Sequence, residues 1–106
     1  MEKEFARQRI VKDIENDDTK IQITGYVRDI DENSFILDDE SGEIKVNLKI
    51  KEDEKKFKNG DLVNVIGNIV LKSSGEKTLD AQIIQDMNKL NFKYYKKLYE
   101  LKKELD

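Results

Sequence analysis

The sequence predicts a mainly β domain, a small five-stranded barrel made of bent strands and followed by one C-terminal α-helix. Three observations predict it. Between residues 21 and 87 the apolar residues fall in short runs at every second position, the period of half-buried strands. Glycines interrupt the first and fourth of these runs, Gly25 and Gly67, at points where a buried side chain is expected. From Asp86 onward the apolar spacing changes to threes and fours, the period of a helix.

A chain of 106 residues has the length of one domain with one core. It divides into a polar lead-in (1–18), a barrel (19–86) and a C-terminal helix (87–106). In the lead-in, Phe5, Ile10, Val11 and Ile14 are the only apolar anchors before the acidic stretch Glu15 to Asp18. Two readings stay open there, an extended strand and a short helical turn.

The first strand has Ile21, Ile23 and Val27 on its inner face and Gln22, Thr24, Tyr26 and Arg28 on the other. Gly25 within it marks a bulge or sharp bend, which lets a long strand curl around a barrel. After the polar tetrad Asp31 to Ser34 comes a second strand, Phe35 to Leu37; Asp38 to Gly42 then turn the chain into a third, with Ile44, Val46 and Leu48 inward. Asp38 and Asp39 belong to that turn, where Asp side chains bond nearby backbone, and are not read as catalytic or metal-binding carboxylates.

The charge run of residues 51–58 reads as a solvated helix or connection packed through Phe57. Asn59 to Asp61 turn into the fourth strand, with Val63, Val65, Ile69 and Leu71 in its inner row and Gly67 as its bend. The loop Lys72 to Lys77 leads to the fifth strand, with Leu79, Ala81 and Ile83 inward. Its Ser73, Ser74 and Gly75 lack the helix and Lys-Ser/Thr of a phosphate-binding loop. Asp86 is the expected N-cap of a helix running from about 87 to 105.

The chain has neither cysteine nor histidine, which removes disulfides, thiolate and imidazole metal sites, and Cys- or His-based catalysis. No other catalytic constellation is visible. The expectation is a non-enzymatic protein with no cofactor, no metal and no small-molecule substrate. No apolar run approaches the length of a membrane span, and the N-terminus lacks the apolar stretch of a signal peptide. A cytoplasmic, nucleoid-associated protein is expected. Its net charge of -3 argues against coating nucleic acid by bulk electrostatics, so any binding face is a local patch.

Five curved strands, a connector between the third and fourth, and glycine bends in the first and fourth outline an OB-fold, which binds oligonucleotides on its second and third strands between two loops. The segments VRDIDENSFILDDESGEIKVNL, NGDLVNVIGNIV and LDAQIIQDMNKLNFKYYKKLYEL resemble, in that order, the OB subunits of archaeal replication protein A, its small or middle subunit in particular. The resemblance implies a subunit that binds single-stranded DNA, or scaffolds one that does, in replication, recombination or repair. The alternatives are a purely structural OB subunit acting through protein contacts, and an RNA- or tRNA-binding OB domain.

Single strands are held by aromatic platforms for bases and by cations for phosphates. The expected face offers Tyr26, Arg28, Lys45, Asn47 and Lys49, with Ile36 where a second stacker stands in strong binders. Lys72 and Lys77 border it on one side, whereas Asp29, Asp31 and Glu32 repel phosphate on the other. One platform among so few cations predicts weak binding by the isolated chain. On the helix, Met87, Leu90, Tyr94, Leu98, Leu101 and Leu105 make one apolar stripe and Phe92, Tyr95 and Tyr99 a second beside it. One small barrel covers only part of so wide a face. The first stripe is therefore expected to assemble with larger OB subunits or with itself, against the alternative that the helix plugs its own barrel.

Overall fold

A computed structural model defines the protein over residues 6–48 and 57–105. The alternating rows form strands where expected: β2 (Lys20–Arg28), β3 (Ser34–Asp38), β4 (Glu43–Asn47), β5 (Leu62–Leu71) and β6 (Lys77–Asp86). A short β1 (Arg7–Gln8) precedes them, and α1 (Phe92–Leu105) follows. Both readings of the lead-in are realised in succession, because β1 pairs parallel to β2 and a 3₁₀ turn follows at Val11–Asp13. The expected connector at 51–58 lies almost wholly outside the described residues. Phe57 at its end meets Phe35 edge-on, ring centroids 5.2 Å apart.

The sheet runs β1-β2-β3-β4-β6-β5, and β2 pairs again with β5 to close a five-stranded barrel. Closing so small a sheet on itself requires its strands to bend. Within β2, Tyr26 is opposite both Asp38 of β3 and Leu62 of β5, and Gly25 stands just before it. A Cβ on Gly25 would lie 2.9 Å from the Asp38 carbonyl oxygen, and one on Gly67 only 2.1 Å from that of Asp80. Both positions need glycine because neighbouring backbone occupies the space of a side chain.

Ile21, Ile23, Val27, Leu37, Ile44, Val46, Val63, Val65, Leu79 and Ala81 are buried together with Phe35 and Leu48, and Ile69 packs half-buried against them. Leu71, at the far end of β5, and Ile83 are the exceptions, 67 and 51% exposed. Opposite Ile66 and Gly67 stand Ile83 and Ala81, so Gln82 is bulged out of register and the parity of β6 inverts beyond it. Ile84 turns inward in place of Ile83.

The helix starts at Phe92, not at Met87. Val63 pairs with Asp86, which draws that residue into β6, and its carboxylate accepts the Asn88 amide at 2.8 Å in a turn. Asn91 is the N-cap instead, its side-chain oxygen accepting the Tyr94 amide at 3.1 Å. Among the described residues no helix is long and apolar enough to cross a membrane.

Candidate nucleic-acid face and assembly helix

The register sets Arg28, Ile36 and Lys45 side by side across β2, β3 and β4, with Tyr26, Asp38 and Glu43 as the next row. Asn47 lies beyond Lys45 on β4, opposite Ser34. Lys49 falls outside the described residues. Ile36, Lys45 and Lys77 line one groove of about 500 Å³, walled by Val11 and Ile14 of the 3₁₀ turn and by Gly75 and Glu76 of the β5–β6 loop. The β5–β6 loop borders this groove as expected, but its other wall is the lead-in turn and not the loop at Asp29 to Glu32.

Several of its polar groups are already engaged. Arg28 pairs with Glu43 and, at 3.6 Å, with Asp38, which offsets its charge on the face. Asn47 donates to Thr78 at 3.1 Å and to Asp80 at 2.9 Å. Lys72 lies 3.9 Å from Glu76, and Lys77 donates to Asn16 at 2.9 Å. Tyr26 is half-buried, its ring met edge-on by Phe92 of α1 at 5.2 Å, so a base reaches only what Phe92 leaves bare. Lys45 carries no ion pair among the described residues.

The turn reading of Asp38 and Asp39 holds. Asp39 is buried and accepts hydrogen bonds from Ser41, Gly42 and the Val11 amide, the last at 2.7 Å. It thereby fixes the 3₁₀ turn that walls the groove. Glu15, Asp17 and Asp18 bring carboxylates close together at the surface, but Asp18 is committed to Arg9 at 2.9 Å and to the Glu15 amide.

Helix α1 is held on the barrel by its second stripe. Phe92 and Tyr99 are buried; Phe92 stacks on Tyr95 at 6.1 Å, with the Lys96 ammonium 5.0 Å from the Phe92 ring centre. Gln8 donates to the Tyr95 hydroxyl, and Lys96 pairs with Glu40. Asp13 accepts from the Tyr99 hydroxyl at 3.0 Å and from Lys103 at 2.8 Å. The bond from Lys103 holds the Asp13 carboxyl below its ordinary range, while burial and the bond to Asp13 push the Tyr99 hydroxyl up.

The first stripe faces outward. Tyr94, Leu98, Leu101 and Leu105 are 60, 49, 57 and 87% exposed. Met87 and Leu90, expected in the same stripe, stand half-buried in the turn before the helix. Sequence reading missed the anchoring roles of Gln8, Asp13 and Glu40. All three are surface-type polar residues whose partners lie far along the chain, and only the fold pairs them.

No family model and no curated protein matches the sequence. Solved structures do match. A chain of the S. pombe Stn1–Ten1 complex superposes with a TM-score of 0.79 at 15% identity, covering 97% of this chain and 96% of that one. The telomere capping protein Ten1 from the same yeast gives 0.76 at 14% identity over 94% of this chain and 99% of its own. A chain of a replication protein A heterotrimer bound to single-stranded DNA gives 0.60 at 16%, covering 72% of this chain and 62% of that one. At these identities the likeness speaks for the fold, and the fold of this chain is an OB-fold: a closed five-stranded barrel with one added strand and a C-terminal helix.

Proposed function

We propose that this chain is a small OB subunit of a single-stranded-DNA-binding complex of the replication protein A kind, joined to a larger OB subunit through Tyr94, Leu98, Leu101 and Leu105. The observation that carries the reading is the division of α1. One stripe is anchored to the barrel, and three leucines and a tyrosine on the other are left in water, an arrangement that favours a partner on that face. The similar proteins support the choice of partner, since one is crystallised as the Stn1–Ten1 complex and another within a replication protein A heterotrimer on single-stranded DNA. The work of such a subunit is replication, recombination or repair in the nucleoid, by binding and without catalysis.

The chain's own hold on DNA is weak on this reading, because among the described residues Lys45 and Lys77 are the cations that line the groove, and Arg28 on the same face is paired with two carboxylates. Purification from the native source followed by identification of the co-purifying chains tests the proposal. The expected companion is a larger OB protein that a Leu98→Glu/Leu101→Glu variant fails to retain. An unchanged set of companions with that variant overturns the helix as the joint.

A further inference from the structure

On a chain of net charge -3, four cationic side chains line a single cleft away from the strand β3–β4 face. The cleft has a volume of about 460 Å³ and lies between β1 and the second half of α1. Arg7, Gln8 and Arg9 form one wall, and Tyr99, Lys102 and Lys103 the other. Two of the cations are fixed by acids: Arg9 is gripped by Asp18 through two nitrogens, at 2.9 and 3.1 Å, with Glu15 at 3.6 Å, and Lys103 bonds Asp13. The side chains of Arg7 and Lys102 make no hydrogen bond or ion pair among the described residues, although the field of Arg7 reaches Asp18. Fixed acids thus hold part of the wall rigid, and the two unpaired cations give the cleft an appetite for an anion.

We infer that this cleft is a second nucleic-acid contact, taking a phosphodiester of a single strand between Arg7 and Lys102. The shape suits a backbone phosphate better than a base, because the Tyr99 ring is buried against the barrel and offers no open face for stacking. The guanidinium of Arg7 can grip two phosphate oxygens at once, and Lys102 supplies a point charge from the opposite wall. Lys102 follows Leu98 by four residues, about 40° further round the helix, so the cleft adjoins the exposed apolar stripe. A strand held there runs beside the subunit joint. The choice of ligand rests on the reading of the chain as a single-strand-binding subunit, whereas the cleft itself does not.

The test is titration of the isotopically labelled full chain with a dT12 oligonucleotide, followed by amide chemical shifts, together with anisotropy across a salt series. Shifts at Arg7, Gln8, Tyr99 and Lys102 are expected. An Arg7→Ala/Lys102→Ala variant, which breaks no bond seen in the fold, should bind dT12 on the order of tenfold more weakly at 50 mM salt and show a log–log salt slope shallower by about 1.4. Shifts confined to Ile36, Lys45 and Lys77, with the double variant unchanged, overturn the cleft and leave the proposed function standing. A cleft that responds to a poly-glutamate peptide while dT12 perturbs neither site overturns the nucleic-acid ligand, and single-strand binding by this chain falls with it.

Discussion

The Tyr99 hydroxyl donates to the Asp13 carboxylate at 3.0 Å across 86 positions of sequence, joining the last helix to the first turn. Lys103 bonds the same oxygen, so one carboxylate anchors the second half of α1. Asp13→Ala removes both bonds together. The expected outcome is a lower urea midpoint and faster amide exchange in residues 99–105, with Tyr99→Phe giving part of the same effect.

Acid should loosen the same joint. The Lys103 bond lowers the Asp13 carboxyl; at Asp18 burial pushes upward, but the bonds from Arg9 and the Glu15 amide outweigh it and the net shift is also down. A lowered folded-state value means that the stabilisation is fully present above the ordinary carboxylate range, near 3.8, and is lost as pH falls through the depressed values beneath it. Urea midpoints measured from pH 6 to pH 2 should therefore drop below about pH 4, and less steeply in an Asp13→Asn/Asp18→Asn variant.

Gly67→Ala places a methyl group 2.1 Å from the Asp80 carbonyl, where only backbone can yield. A loss of about 1–3 kcal/mol is expected by chemical denaturation. Gly25→Ala, with its nearest contact at 2.9 Å, should cost less. Equal effects at both sites would contradict the close approach of β6 to Gly67.

Leu98→Glu/Leu101→Glu should leave monomer stability within about 0.5 kcal/mol, since both side chains stand about half in water. Light scattering at high concentration and capture of the OB companion should both report lost assembly. A variant that instead unfolds would show this stripe to be packed on its own barrel.

Much of the barrel is legible because strand parity is a strong constraint: one residue of slip exposes every inward Ile and Val. Ile83 escapes that reading, since the bulge at Gln82 inverts parity and no residue type announces it. The start of α1 is misread for a related reason. Asp86 and Asn91 are equally good caps by type, and only the pairing of Val63 with Asp86 decides between them. At the candidate face, the row Arg28, Ile36 and Lys45 follows from the alternation once the strands are in register. The acids that balance Arg28 share that parity and were equally open to inference. The cover of Phe92 over Tyr26 was not, because it depends on where a helix returns from the far end of the chain.

The β6 strand is the barrel's keystone in time as well as in space. It pairs with β4 on one side and β5 on the other, while β2 and β5 join Lys20 to Asn68, nearly half the chain apart. Such non-local pairings bear their loop-closure entropy before any contact repays it, so folding on the millisecond-to-second scale is expected. During synthesis the barrel cannot close until the Thr78–Asp80 part of β6, which pairs with β4, has left the ribosome. Until then the edges of β4 and β5 are exposed together, and that interval is when this chain is most open to mispairing.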